Sequence, residues 1–271
     1  MSKLQFTILM EDNLSGENLV AEHGLSVYVE TEKHKLLVDT GKSEKTWDNA
    51  NVKGVDIREI DTVILSHGHY DHSGGLMSFA AVNTDAVIYM RDNAGGEYYS
   101  YKQGEEKYIG IDKEILQLPK IELIKGNYVI DDELSLFTNV QQKYPLPKGN
   151  KRLHEKQGEE YVQDIFTHEQ NLVIKYDEGK YALISGCAHN GILNILDAFR
   201  ELYKTEPAIV ISGFHMIQSE YTEDDLEEIR KVARQLATMD TIFYTGHCTG
   251  EAAYKILKEV MGKKLHAMWE M

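Results

Sequence analysis

Four side chains able to bind transition metals fall within six residues: His67, His69, Asp71 and His72. They follow a short β-branched run, Thr62 to Leu65, and Ser66, and they precede Gly74 and Gly75, where a helix can begin. A lone solvent-facing histidine is usually inert. The order H-x-H-x-D-H is different, because it rarely arises by accident and each residue type has a coordination role. In extended chain alternate side chains share a face, so His67, His69 and Asp71 converge on one side. His72 turns differently as the helix starts. That arrangement suits two adjacent ions, His67 with His69 on the first and Asp71 with His72 on the second. Zinc accepts imidazole and carboxylate, and an open coordination position holds water whose pKa the ion lowers.

A two-metal centre needs about six protein ligands, and the first motif supplies four. Three more histidines, His189, His215 and His247, stand at the ends of apolar runs just ahead of a helix or a glycine turn. In open α/β sheets such junctions gather along one edge, where sites form. His189 and His247 are the choices for the remaining ligands, one per ion. For each, the plain alternative is a buried, satisfied core histidine. His215 is then left over to hydrogen-bond substrate or to donate a proton, and Asp71 both ligates and orients the nucleophile.

The elements that must position these residues read as alternating strands and helices, an α/β layered domain. Leu4 to Leu9 forms a first strand with Glu11-Asp12-Asn13 at its end. Leu25 to Glu30 and Lys35 to Val38 form a hairpin that ends in Asp39-Thr40-Gly41. Ser73 to Ala81 reads as one helix. Leu172 to Tyr176 and Tyr181 to Ser185 form a second hairpin, followed by a helix with Ile192, Ile195, Leu196 and Phe199 at helical spacing. Glu223 to Met239 is an amphipathic helix with Thr222 as its N-cap. His189 thus sits as His67 does, at a strand end ahead of a helix, and two related halves facing each other are expected. Arg91 to Pro119, with Tyr98, Tyr99, Tyr101 and Tyr108, and Val140 to Thr167 lack a clear period. The second is expected to be an irregular, cap-like segment over about 140–167 of a single domain spanning 1–271. Its lysines read either as a solvated mixed-charge loop or as a lure for an anionic substrate.

The motif after an apolar strand resembles the signature of the metallo-β-lactamase-fold superfamily of metal-dependent hydrolases. The resemblance implies a four-layer αββα sandwich of two mixed β-sheets. It also puts Asp39 under the metal site, where it would orient a ligand histidine and not merely cap a turn. On the superfamily pattern His168, ahead of the hairpin, would be a ligand and Cys187 would hold the bridging position. A narrower resemblance, carried by Gly186-Cys187-Ala188-His189, by Gly213-Phe214-His215 and by Thr245 to Gly250, is to the dihydropterin-synthase-like branch. It favours His189, with His168 as the fallback and Cys187 as a near neighbour. The superfamily's redox branch has a carboxylate where His69 stands.

The chain has 271 residues and a formal net charge of −15, so a nucleic-acid backbone would be repelled. No apolar run reaches membrane-spanning length, and the first residues read as a strand, not an export signal. Two cysteines, Cys187 and Cys248, read as reduced thiols of a cytoplasmic protein. The expected activity is hydrolysis of a small ester, lactone or phosphoester by a metal-bound hydroxide. The cofactor is one or two zinc ions, with manganese or iron as substitutes, and the partner is a small anionic or aromatic substrate. The alternatives are a synthase-like transfer to an aminobenzene ribosyl phosphate and a non-catalytic metal-binding module.

Overall fold

The computed structural model describes residues 3–102 and 104–271. The chain opens with β1 (Gln5–Met10), β2 (Ser26–Glu30) and β3 (Lys35–Val38), followed by α1 (Lys45–Val52) and β4 (Thr62–Ile64). Two short helices, α2 (Tyr70–Ser73) and α3 (Leu76–Ala80), lead to β5 (Val87–Arg91), β6 (Tyr98–Lys102), β7 (Glu105–Tyr108) and β8 (Ile121–Ile124). Next come β9 (Tyr128–Val129), β10 (Leu134–Phe137), β11 (Leu153–Gln157), β12 (Glu160–Gln163), β13 (Asn171–Asp177) and β14 (Lys180–Ser185). The chain then alternates through α4 (Ile192–Tyr203), β15 (Ile209–Ser212), α5 (Glu223–Ala237), β16 (Ile242–Thr245), α6 (Glu251–Met261) and β17 (Leu265–Ala267).

Period-two alternation builds the layers. Val27, Val29, Leu36 and Val38 face Leu172, Ile174 and Ile184 in an apolar layer between two sheets. Their neighbours Tyr28 and Leu37 point the other way, against Ala50 of α1 and Leu76 and Phe79 of α3. Val173 and Leu183 likewise point outward, onto Ile195 and Phe199 of α4 and Ile229 of α5. The result is the four-layer αββα sandwich. Helix α5 starts at a full capping box between Thr222 and Asp225.

The first sheet runs β1-β2-β3-β4-β5-β8, antiparallel across the β1–β2–β3 hairpins and parallel from β3 onward. The second runs β9-β10-β13-β14-β15-β16-β17, antiparallel as far as β14 and parallel beyond it. The halves therefore repeat one plan, with β14 matching β3 and β15 matching β4. This changes the pairing expected from sequence. His189 follows the counterpart of β3, and it is His215 that stands where His67 stands.

Two other expectations change. The helix over 73–81 is broken at Gly74 and Gly75, where the carbonyls of Lys42 and Thr40 approach so closely that a Cβ at either position would collide with them. The 140–167 segment is irregular only in part: a 3-10 turn at Lys148–Arg152 leads into the β11–β12 hairpin. With β6 and β7 that hairpin makes a third, antiparallel sheet in the order β12-β11-β6-β7. Leu153 is the one buried residue of that hairpin, so charged residues sit on both faces and hide the alternation.

Candidate metal centre

The C-terminal ends of β3, β4, β14, β15 and β16 meet at one edge of the sandwich, and every sequence-chosen residue lies there. His67, His69 and His189 are buried and offer ring nitrogens within 4.8 Å of one another. Beside them, Asp71 Oδ2 lies 3.7 Å from His72 Nε2 and 3.4 Å from His247 Nε2. Cys187 stands between the two groups: its Sγ is 3.2 Å from His72 Nε2, and it also falls within 4.8 Å of His67.

Four of these rings are turned by a specific partner on Nδ1. Asp39 is fully buried. Its Oδ2 accepts from His72 Nδ1 at 2.7 Å and from Ser66 Oγ at 2.6 Å, and its Oδ1 accepts from Ser66 N. With its proton given to Asp39, Ser66 Oγ accepts from His67 Nδ1 at 2.9 Å. His247 Nδ1 donates to Asp12 Oδ1 at 2.6 Å, and His189 Nδ1 to Asn150 Oδ1 at 3.1 Å. For His67 and His189 this holds the proton on Nδ1 and leaves Nε2 as a bare lone pair, whereas His72 Nε2 faces the Cys187 thiol and His247 Nε2 faces the Asp71 carboxylate. The Nε2 atoms of His67, His69, His189 and His247 are buried and have no hydrogen-bond partner among the described residues.

The backbone of the second-half loops is clamped by buried carboxylates. Glu169 accepts from the backbone N–H groups of His189 (2.6 Å) and Asn190 (3.0 Å). Glu11 accepts from the N–H of His247 and, at 2.5 Å, of Asn13. Four non-glycine residues at these strand ends have left-handed backbone: Asp39 (φ 61), Ala188 (φ 51), His215 (φ 48) and His247 (φ 48). Such conformations persist where the surroundings over-determine them, often at functional sites.

The electrostatics divide the centre in two. Burial, and then the neighbouring imidazoles, hold His67 and His189 well below the ordinary imidazole range and His69 down at about 3. These rings are neutral, the form that ligates. Burial also disfavours charge on His72 and His247, but Asp39 and Asp71 outweigh it for His72, and Asp12 and Asp71 for His247, so both are raised. A cation in that second group is favoured by the same carboxylates. Asp71 itself is held well below the usual carboxylate range; burial opposes this, and the His72 and His247 charges outweigh it.

His168 is differently placed. Its Nδ1 accepts from Gly68 N at 2.9 Å, and its Nε2 lies 3.0 Å from Asp164 Oδ2, so both nitrogens are engaged. Tyr98 packs against it, ring centroids 4.0 Å apart and planes tilted by 34°. Phe166 stacks on His189 at 4.4 Å, its ring within 3° of parallel. His215 is buried against His189, ring centroids 4.2 Å apart, and neither of its nitrogens has a partner among the described residues. His23 was not anticipated from sequence. It bridges Asp12 Oδ2 at 2.8 Å and Asp71 Oδ2 at 3.4 Å from a half-exposed position. The lysines of 143–148 are neutralised: Lys143 pairs with Asp197 and Glu201, and Lys148 with Asp225 and Glu228.

A family model for the metallo-β-lactamase superfamily matches residues 19–247, and the chain belongs to that superfamily. Within it, the chain is 28% identical over 264 residues to MJ0448, an uncharacterized protein of Methanocaldococcus jannaschii, with 93% of each chain covered. A second protein of that organism, 7,8-dihydropterin-6-methyl-4-(β-D-ribofuranosyl)-aminobenzene-5'-phosphate synthase, is 28% identical over 275 residues, covering 91% of this chain and 88% of its own. The crystal structure of Tm1679, described as a metal-dependent hydrolase of the β-lactamase superfamily, superposes with a TM-score of 0.80 at 30% identity. It covers 98% of this chain and 96% of its own. The superfamily's dependence on metal is met by the residues present, since bare, buried, Nδ1-anchored imidazoles otherwise leave polar atoms unsatisfied. No helix among the described residues is long and apolar enough to cross a membrane.

Proposed function

We propose that the protein is a hydrolase of a small ester, lactone or phosphoester that works with one or two zinc ions, manganese or iron substituting. His67, His69 and His189 would hold one ion, and Asp71, His72 and His247 the second, with Cys187 between them. The observation that carries this reading is the convergence of bare Nε2 atoms whose Nδ1 partners are already fixed. When bound, such ions polarise the substrate's electrophilic oxygen and make water acidic enough to attack near neutral pH.

The chain's own residues supply the rest. Asp39, through Ser66 and directly, keeps His67 and His72 in the ligating tautomer. Asp71 presents a carboxylate to the face shared by His72, His247 and His23, where it both ligates and orients the nucleophile. His215 has an unpartnered nitrogen for the substrate and gives a proton to the leaving oxygen. Buried and unbridged, Cys187 and Cys248 agree with a cytoplasmic setting.

Metal analysis followed by a screen of esters, lactones and phosphodiesters on the same sample tests the reading. His215→Gln is expected to keep its metal and lose turnover, and loss of metal instead would overturn the role given to His215. Full metal with inertness across the screen would favour a binding module. The near full-length likeness to a protein named as a synthase favours one further assay, transfer to an aminobenzene ribosyl phosphate.

A further inference from the structure

Next to the metal centre lies a cavity of about 280 Å³ between the 144–148 loop, the start of α4 and one face of α5. Leu146, Ile192, Phe214, Met216, Ile229 and Val232 give it an apolar lining, and His215 stands at its inner end. That ring is 6% exposed with both nitrogens unpartnered among the described residues, so the cavity ends in an unsatisfied polar group beside His189.

The outer wall is built, not incidental. Asn194 of α4 accepts from the backbone N–H groups of Lys143 (2.8 Å) and Tyr144 (2.7 Å) and donates to Tyr144 O. At the loop's far end Asn150 donates to His189 O at 2.8 Å and accepts from the same ring. Between these anchors Pro145 and Pro147 have no N–H, so the loop can turn toward an apolar space without leaving donors unpaired. A Cβ at Gly149 would press to 3.0 Å from the His215 ring, so the missing side chain keeps that ring in place. One run of residues therefore both walls the cavity and orients a candidate metal ligand.

Charge at the rim balances. Lys148 is held by Asp225 at 2.7 Å and Glu228 at 2.9 Å, and with Lys231 the rim carries two cations and two carboxylates. No net field there attracts a phosphate or carboxylate. As for size, a dry apolar cavity of about 150 Å³ takes a benzene ring. The space here suits one aryl group or an acyl chain of several carbons.

We infer that this cavity binds an uncharged aryl or medium-chain acyl arm attached to the bond being cleaved, with His215 hydrogen-bonded to a polar atom where the arm meets that bond. The inference rests on the hydrolase reading for the reacting end of the substrate, but the cavity can be tested apart from it. Benzyl alcohol is titrated into the full-length protein as purified, and the imidazole signals of His215, identified by their loss in His215→Gln, are followed by NMR. The wild type is expected to show a saturable shift. Val232→Trp, which fills the cavity from α5, is expected to weaken it at least tenfold while metal content stays unchanged, with Val232→Phe as the milder substitute if tryptophan prevents folding. No saturable shift in the wild type, or equal binding by the filled variant, overturns the inference whether or not the protein hydrolyses anything. With the zinc-loaded enzyme, kcat/KM for 4-nitrophenyl esters is expected to rise roughly three- to fourfold per methylene from acetate to hexanoate. Hexanoate is expected to exceed its charged counterpart, the mono-4-nitrophenyl ester of adipic acid, at least tenfold. A flat series, or parity between that pair, removes the apolar specificity. Absence of all ester turnover with benzyl alcohol binding intact refutes the hydrolase reading alone.

Discussion

The two halves of the sandwich share a strand plan but bring candidate ligands to the edge by different means. After β4 one extended run carries His67 and His69 outward, and its last extended residue, His69 (φ −108), starts α2, which presents Asp71 and His72. In the second half each of β14, β15 and β16 contributes one histidine, from a loop with a left-handed kink at Ala188, His215 or His247 itself. The first arrangement depends on local geometry and one buried acid. The second depends on contacts between parts of the chain far apart, such as Glu11 with His247, 236 residues away. What differs is where the information for placing a ligand resides.

Breaking the first half should have the largest effect. Asp39→Ala leaves Ser66 and His72 without their acceptor, and removing one partner of a buried charged pair costs roughly 3–5 kcal/mol. Metal affinity is expected to fall about 10–100-fold. Chemical denaturation and metal content measure the two effects, and normal values of both would mean that the first half does not hang on Asp39. In the second half, damage should stay within one loop. Glu169→Gln turns an amide toward backbone N–H groups at a cost of about 1–3 kcal/mol, and is expected to disturb the His189 imidazole signals while sparing those of His247. Glu11→Gln should do the reverse; if either variant disturbs both rings equally, the loops are not independent.

A smaller effect is expected at His168, whose nitrogens are already engaged. His168→Gln should bind as much metal as the wild type and lose about 1–2 kcal/mol from the broken contacts. Loss of one metal equivalent would make His168 a ligand. The smallest effect concerns the His34 bridge between the β2–β3 turn and Asp131 ahead of β10. Its hydrogen bond to Asp61 at 2.8 Å, which burial opposes and Asp131 reinforces, raises His34 from 6.5 to about 9. A raised histidine contributes stability that is complete below pH 6.5 and is lost as pH rises through about 9. The melting difference between wild type and His34→Gln should therefore be larger at pH 6 than at pH 10. An unchanged difference would show that the bridge does not titrate with folding.

The contrast between the halves also explains what could be read from the sequence. His67, His69, Asp71 and His72 were legible because an extended segment followed by a helix projects side chains at known intervals. The layers were legible for the same reason, since Val27, Tyr28 and Val29 alternate between two cores. His189 could be preferred to His168 from its place at a strand end ahead of a helix, but the partners of their nitrogens, which distinguish the two rings in space, gave no local signal. Asp12 and Glu11 were visible only as a polar strand end, and Glu169 and Asn150 gave no local signal, because each acts on a residue distant in the chain. The β11–β12 hairpin was hidden by charge on both of its faces.

The left-handed turn at Ala188 bears on how this sequence can change. A non-glycine residue in that conformation costs of order 1–3 kcal/mol, which glycine would recover in the folded state. Glycine would also let the segment that carries His189 sample other directions. Ala188 is also fully buried in the apolar cluster under α4, so glycine there gives up a packed methyl and adds freedom to the unfolded chain, which offsets the strain it relieves. The alanine thus holds the direction of the His189 segment at little net cost to the fold.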